Sequence, residues 1–196
     1  MLVTNIGPVT VPTPRALRTR ERILAAALDL FEREGYDTTT VARIATAAGV
    51  TQMTFFRHFP TKDSVLVSDP YDPLIARAVA AQPRGLAPVE RVRRGMLAAL
   101  GTIEPVEDAT ATRRVRLVAA HPSLRAAMVA ATADTERAIA DALVADGVPR
   151  LDAAVAAAAC LAACTAALLA MPGLPDGETR LGVVVTRALD LLGETS

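Results

Sequence analysis

Apolar residues recur at helical spacing near the start of the chain. Between Ala16 and Glu34 they stand at positions i, i+4, i+7 and i+8, which form one face of an amphipathic helix. These residues are Ile23, Ala27, Leu30 and Phe31. Gly35 follows them and indicates where the helix ends. The pattern therefore predicts a first helix over residues 16–34.

Two shorter helical patterns follow, and each is preceded by a threonine that can cap the helix. Thr40 stands before the first pattern, and Thr51 stands before the second, which runs to Phe59. Gly49 separates the two patterns, and Pro60 ends the second. Two short helices around a glycine turn predict a helix-turn-helix.

The third helix has an outward face with the chemistry of a base-reading surface. Phe55 and Phe59 are spaced to pack inward, which leaves the other side chains outward: Gln52, Met53, Thr54, Phe56, Arg57 and His58. Gln can pair with adenine and Arg with guanine, and Thr and Met methyl groups can contact thymine. Thr40, His58 and Lys62 lie at helix ends, where side chains contact phosphates. The alternative is a solvated helix of an ordinary bundle.

The charge distribution agrees with a DNA-binding segment. The 196-residue chain holds 21 basic and 21 acidic residues, yet residues 15–62 hold eight Arg and Lys against five Asp and Glu. A basic segment can contact polyphosphate. The surplus is small, so it supports the DNA-binding hypothesis without carrying it.

Several segments of this region resemble, in order and spacing, the amino-terminal motif of the TetR family of bacterial regulators. They are Thr39-Thr40-Val41, Ile44-Ala45, Ala47-Ala48-Gly49-Val50-Thr51, Thr54-Phe55-Phe56-Arg57-His58-Phe59-Pro60 and Lys62-Asp63. The resemblance covers roughly residues 18–66 and is more specific than a lone short motif. It implies a dimer whose two recognition helices read a palindromic operator, usually to repress transcription.

The resemblance also assigns positions relative to DNA. It implies that Thr51, Gln52, Met53 and Thr54 lie near bases and that Phe56, His58 and Lys62 lie near the backbone. Thr40, Arg43 and Arg57 complete the predicted DNA-binding set. Phe56 departs from the family's pattern, because a tyrosine is usual there, and the hydroxyl that would bond to a phosphate is missing.

The remaining sequence predicts a helical body. The chain is 52% hydrophobic but only 3% aromatic, and its Ala-rich stretches favour closely packed helices, so we predict an all-α fold. A helix beginning at Lys62 and interrupted at Tyr71-Asp72-Pro73 leads into helices at about 88–103, 106–119, 122–146, 150–171 and 177–193. The predicted organisation is a disordered arm (1–14), a helix-turn-helix domain (15–62) and a regulatory and dimerisation domain (63–196).

The last two predicted helices have long apolar faces that a small domain cannot bury alone. We therefore predict a homodimer interface formed by Leu161, Thr165, Leu168, Val184, Ala188 and Leu191. The alternative is that these faces are the core of one chain.

The middle helices are the predicted site of a small apolar or amphipathic ligand. The candidate pocket residues are Met96, Leu100, Arg116, Met128 and Thr132. Arg116 stands between apolar residues, where a charge is costly unless it is paired or binds an anion. The alternatives are a salt bridge from Arg116 to Glu104, Glu107 or Asp108, and methionines that only fill the core.

Other classes of protein lack support in the sequence. The apolar run from Ala153 to Met171 is mostly Ala and has no aromatic or basic flanks, so we interpret it as a buried helix, not a membrane span. Cys160 and Cys164 on that run are interpreted as core residues, with a thiol sensor as the alternative. Residues 1–14 do not have the pattern of a secretory signal, and we expect a cytoplasmic protein.

An enzyme is not expected. Only His58 and His121 are histidines, and the common metal, nucleotide and serine-nucleophile motifs are missing, so we predict no metal and no cofactor. A ligand-binding or interaction module without operator affinity is the other alternative.

Overall fold

The structure is a computed structural model that describes residues 13–68, 72–102, 105–175 and 179–193. Within these ranges the chain forms ten α-helices and a 3₁₀ turn (Met171–Gly173), with no strand. The helices are α1 (Pro14–Glu34), α2 (Val41–Ala47), α3 (Gln52–His58), α4 (Ser64–Val67), α5 (Asp72–Ala80), α6 (Pro88–Leu100), α7 (Pro105–Ala120), α8 (Pro122–Ala145), α9 (Arg150–Ala170) and α10 (Leu181–Gly193). The all-α prediction is confirmed.

Helix α1 begins two residues earlier than the sequence predicts. The Thr13 hydroxyl accepts a hydrogen bond from the Ala16 amide at 3.3 Å. Pro14 occupies the first turn, where a backbone N–H would have no acceptor within the helix, so the N–H that proline lacks is not needed. Thr13 and Pro14 therefore belong to α1 and not to the predicted arm. The rest of that arm, residues 1–12, lies outside the described residues.

The described chain divides into two compact units. The first, which we call the head, ends at Val65, and the second, which we call the body, begins at Leu66. The head contains α1 to α3, and α4 continues along the chain from the head into the body. The helix predicted from Lys62 begins two residues later, at Ser64, because Lys62 and Asp63 form a turn, and it ends at Val67.

The head is held together by aromatic and aliphatic side chains from all three of its helices. Ile23, Phe31, Ile44, Phe55 and Phe59 are each at most 2% exposed. The Phe55 and Phe59 ring centroids lie 5.9 Å apart, and burial of each large apolar side chain stabilises the fold by about 1.5–3 kcal/mol. The predicted inward face of α3 is thus observed.

The body packs around α9, which contacts α6, α7, α8 and α10. Its buried side includes Ala153, Ala156, Ala157, Cys160 and Cys164. Small side chains let the neighbouring helices approach closely. Larger residues from those helices complete the same cluster: Val92, Met96, Ile139, Leu143, Val185 and Leu189.

Helix α9 is long and apolar enough to cross a membrane by length and composition. Its packing against four other helices gives it a role as the central helix of the body. Its two thiols are buried, and burial raises the pKa of Cys160 to about 11 and that of Cys164 to about 12. Both are therefore protonated at neutral pH, which agrees with the interpretation as core residues and gives no support to a reactive thiol.

Gly95 allows α6 to pack directly against the backbone of α5. A Cβ atom added at Gly95 would lie 2.6 Å from the backbone N and Cα of Val79. Backbone atoms cannot move aside as the end of a flexible side chain can, so only glycine fits at this helix crossing.

We expect Gly95→Ala to lower the free energy of unfolding of the body by about 2–3 kcal/mol, as overpacking does in other cores. Urea unfolding followed by circular dichroism measures the change. Gly85→Ala is the control, because a Cβ atom there meets nothing within 4 Å. Equal stability of the two variants would contradict the close contact between α5 and α6.

A buried ion pair joins the start of α6 to the end of α8. Arg91 is 1% exposed, and its Nη2 donates to Asp146 Oδ2 at 2.6 Å. The exposed Arg84 binds the other carboxylate oxygen, also at 2.6 Å. Arg91 Nε and Nη1 have no hydrogen-bond partner among the described residues. Asp146 is therefore the group that compensates the buried charge of Arg91.

Candidate nucleic-acid interface and ligand cavity

The turn between α2 and α3 depends on Gly49 and on a side chain from α1. Gly49 has a φ of 63°, in the left-handed region that favours glycine. The Arg22 guanidinium donates to the carbonyl oxygen of Ala48 and contacts that of Gly49 at 3.4 Å. This cation satisfies carbonyl groups at the end of α2 and fixes the direction in which α3 leaves the turn.

Helix α3 presents most of the predicted base-reading residues to solvent. Gln52, Met53, Phe56 and Arg57 are exposed, and Thr54 is half-buried, whereas Phe55 between them is buried. Met53 is 79% exposed, an unusual degree for a large apolar side chain. The face therefore combines amide, methyl and guanidinium groups, which can contact base edges in a major groove.

Three side chains along this face are linked by hydrogen bonds. Thr51 caps α3 by accepting from the Thr54 amide at 3.1 Å, and the two hydroxyl oxygens lie 3.0 Å apart. Arg57 Nη2 lies 3.4 Å from the Thr54 hydroxyl. This chain of contacts orients the Arg57 guanidinium along the exposed face of α3.

The carboxyl end of α3 is anchored to α1. Arg20 Nη1 donates to the carbonyl oxygen of His58 at 2.9 Å, and the guanidinium lies 4.2 Å from the centroid of the Phe59 ring. Burial lowers the pKa of His58, and the positive charges of Arg20 and Arg57 lower it further. His58 is therefore largely neutral at pH 7 and can offer a phosphate a hydrogen bond but not a full positive charge.

Two of the predicted DNA-binding residues are already engaged within the head. Lys62 Nζ donates to the carbonyl oxygens of Tyr36 at 2.8 Å and Thr39 at 3.2 Å, and it lies over the Tyr36 ring. Arg43 Nη1 forms a 2.6 Å salt bridge with Glu34. Thr40 caps α2 and is exposed. Lys62 thus closes the loop between α1 and α2, a role that the sequence analysis did not predict.

Some of the side chains that hold α3 in place were not predicted from the sequence. Arg20 and Arg22 were counted there only as positive charges, and the Tyr36 hydroxyl, which donates to Asp63, was not identified. No periodic pattern identifies such residues, since their partners lie more than twenty positions away in the sequence.

The body contains a partly open cavity of about 160 Å³. Four of the five predicted pocket residues line it: Met96, Leu100, Met128 and Thr132. Arg116 does not, because it lies on the exposed side of α7 while its neighbours Val115 and Val118 are buried. A helix turns about 100° per residue, so a charge between apolar residues in sequence can still face solvent. The salt bridge proposed from Arg116 cannot be compared with the structure, because its candidate partners lie outside the described residues. These partners are Glu104 and the side chains of Glu107 and Asp108.

The predicted dimer residues fall into two groups. Leu161, Thr165 and Leu168 of α9 line the cavity of the body. Val184, Ala188 and Leu191 of α10 line an apolar surface groove together with alanines of α9. Leu191 is 63% exposed, and exposed Leu151 and Val155 extend the apolar surface of α9.

Comparison with known families separates the chain into two matched regions. Residues 23–68 match the family described as bacterial regulatory proteins, tetR family. Residues 86–196, more than half of the chain, match the family described as the MftR C-terminal domain. The chain belongs to the TetR family. Members of this family are DNA-binding regulators and not enzymes.

Curated relatives agree with this assignment. Over 116 residues the chain is 35% identical to the transcriptional regulator TcmR of Streptomyces glaucescens. The matched region covers 56% of this chain and 51% of TcmR. Over 98 residues it is 35% identical to the regulator HbdR of Aromatoleum sp. (strain CIB), covering 46% of this chain and 41% of HbdR. The matches thus span about half of the relatives' lengths or less.

The TetR-family fold also appears among solved structures. SmeT, the repressor of the Stenotrophomonas maltophilia multidrug efflux pump SmeDEF, superposes with a TM-score of 0.53 at 27% identity. The superposition covers 88% of this chain and 87% of SmeT. No group of three or more His, Cys, Asp or Glu residues in the described part of this chain is placed to hold a metal ion.

Proposed function

We propose that this TetR-family protein binds a palindromic operator as a homodimer, represses transcription there and is released by a small-molecule ligand. We infer a cytoplasmic location from the same role. The observation that carries the proposal is the exposed face of α3, which begins at the Thr51 cap and includes Gln52, Met53 and Arg57. An amide, a thioether and a guanidinium on one rigid, capped helix are suited to reading base edges.

The apolar groove along α9 and α10 supports dimerisation. Leu191 and Val183 are exposed there beside small alanine side chains that allow close helix packing. An apolar surface of this kind is suited to an interface in which two copies use the same patch. The dimer would present two α3 helices to the two halves of a palindrome.

The cavity in the body supports a ligand-responsive regulator. Val67, the last residue of α4, lines the cavity and lies two residues after the last residue of the head. Arg114 of α7 donates to the carbonyl oxygens of Leu66 and Ser68 at 2.7–3.1 Å and so fixes the end of α4. A ligand that moves Val67 would act on the chain segment that connects the body to the head. Because two half-sites one helical turn apart tolerate little change in head spacing, small movements can lower operator affinity.

A gel-shift assay with DNA from upstream of the protein's own gene tests the central claim. The expected result is a shifted band at low protein concentration that competing random DNA does not remove. If the protein binds upstream DNA no more tightly than random DNA, selection of binding sequences from a random-sequence pool is the second test. The proposal is contradicted if that selection also yields no preferred sequence.

Arg57 and Lys62 are expected to differ in their contribution to operator binding. Arg57→Ala should weaken operator binding by about 1–3 kcal/mol and leave binding to random DNA unchanged, because it removes the proposed base contact and, within the protein, an exposed 3.4 Å contact with the Thr54 hydroxyl. Lys62→Met should instead lower the thermal stability of the free protein, because it removes the two hydrogen bonds to the loop before α2.

Binding titrations on both DNAs at several salt concentrations, together with thermal unfolding, measure these effects. Arg137→Ala removes one positive charge from the surface of the body and is the control for net charge. Equal loss on operator and random DNA would make Arg57 a phosphate contact. A stable Lys62→Met protein with a salt dependence reduced by about one unit of slope would make Lys62 a phosphate contact as well.

A further inference from the structure

The lining of the body cavity is uncharged. In the part of the chain that the structure describes, all cavity residues are aliphatic, methionine, threonine or cysteine. The single thiol in the lining, Cys164, has a pKa raised to about 12 by burial and is protonated at neutral pH. A charged ligand group placed among these side chains would lose its hydration without gaining a counter-ion.

The size of the cavity limits the ligand further. Its volume is about 160 Å³, and an engineered apolar cavity of about 150 Å³ in another protein binds benzene. Many ligand pockets are larger, at about 300–1,000 Å³. The cavity therefore suits a compact molecule built around a single ring more than an extended chain.

One buried polar group in the lining has no hydrogen-bond partner in the described part of the chain. Thr135 of α8 is 3% exposed, and its hydroxyl has no hydrogen-bond partner among the described residues. The neighbouring Thr132, by contrast, donates to the carbonyl oxygen of Val129 at 2.8 Å. Rotation of Thr135 about χ1 exchanges its methyl and hydroxyl groups, so the hydroxyl can be turned toward a ligand. A buried hydroxyl without a partner gains most from a ligand that supplies one.

We propose that this cavity binds an uncharged, compact and mainly apolar molecule, of the size of one substituted aromatic ring, that hydrogen-bonds to Thr135 through a single polar group. This inference rests on the proposed function, in which a ligand in the body releases the operator. It also replaces the anionic ligand that Arg116 suggested in the sequence.

Three probes of nearly equal size test the proposal by calorimetry on the full-length protein. They are p-cresol, which is neutral and carries one hydroxyl, toluene, which has no polar group, and benzoate, which is an anion at pH 7. We expect p-cresol to bind about 2- to 13-fold more tightly than toluene, the range for one added hydrogen bond. Benzoate should bind more weakly than either.

Variants of Thr132 and Thr135, the two threonines of α8 in the lining, test which of these hydroxyls gives the preference. Thr135→Val should bring the affinity for p-cresol down to that for toluene, whereas Thr135→Ser, which keeps the hydroxyl, should retain the preference. Thr132→Val is the matched control, because it removes a hydroxyl that already has a partner on the same helix. Circular dichroism of each variant verifies that it is folded.

The outcomes separate this inference from the proposed function. A p-cresol preference that disappears only in Thr135→Val supports the inference. Tighter binding of benzoate, an unchanged preference in Thr135→Val, or failure of all three probes to bind would overturn it, even if the protein binds its operator. Failure to bind any operator would instead overturn the proposed function, and with it the regulatory role of the cavity.

Discussion

Replacement of Asp146 by alanine is expected to lower the free energy of unfolding of the body by about 3–5 kcal/mol, the usual cost of breaking one side of a buried ion pair. The loss is large because Arg91 is 1% exposed and its Nη2 binds Asp146 at 2.6 Å. Two of its other nitrogen atoms have no partner among the described residues that could compensate. Chemical unfolding monitored by circular dichroism measures the change.

A double-mutant cycle distinguishes the effect of leaving the buried Arg91 charge without a partner from the effect of losing the Asp146 contacts. Arg91→Met should change stability little, because Asp146 keeps its salt bridge to the exposed Arg84. Combined with Arg91→Met, Asp146→Ala should lose most of its destabilising effect. Asp134→Ala, which breaks an exposed pair with Arg137, should cost at most about 0.5–1 kcal/mol. The explanation fails if Asp146→Ala is as mild as Asp134→Ala.

The elements of the fold were largely predictable from local sequence signals. Thr40 and Thr51 were predicted as caps, and each accepts the expected backbone hydrogen bond. Gly49 was predicted as a turn and has a positive φ. Caps, glycines and prolines act over a few residues, so their effects can be read from the chain without its tertiary structure.

The orientation of α9 could not be predicted in the same way. Its alanines make every side of the helix apolar, so the pattern does not indicate which side faces the core. Leu151 and Leu161 are both large apolar residues of this helix, but the ten residues between them turn an α-helix through about 80° less than three full turns, so the two side chains point in different directions. The structure accordingly exposes Leu151 and buries Leu161.

The residues of the α3 face and of the cavity could likewise be predicted only in part. The exposed face of α3 followed from the inward spacing of Phe55 and Phe59, and four of the five predicted pocket residues line the cavity. The roles of Lys62 and Arg116 did not follow. A long charged side chain can reach a carbonyl group or solvent in several directions, and only tertiary contacts select one of them.

Leu191→Glu is expected to produce a folded monomer whose operator affinity is lower by about 10²–10⁴-fold. Leu191 is 63% exposed, so the single chain tolerates a charge there, but in the proposed interface the carboxylate would lose its hydration, a cost that Arg187 of the same groove offsets only in part. A monomer binds one half-site and loses the gain that comes from linking two binding units. Sedimentation gives the mass, and titration of the operator gives the affinity.

Two further variants make the result specific to this surface. Val129→Glu places the same charge at an exposed apolar residue on α8 and should leave both the mass and the operator affinity unchanged. Leu161→Glu places it in the core of the body and should unfold the protein, because Leu161 is only 7% exposed. A Leu191→Glu protein that stays dimeric would show that the groove between α9 and α10 is not the dimer interface. A folded monomer with undiminished affinity would mean that one head is enough for operator binding, which the palindromic mechanism does not allow.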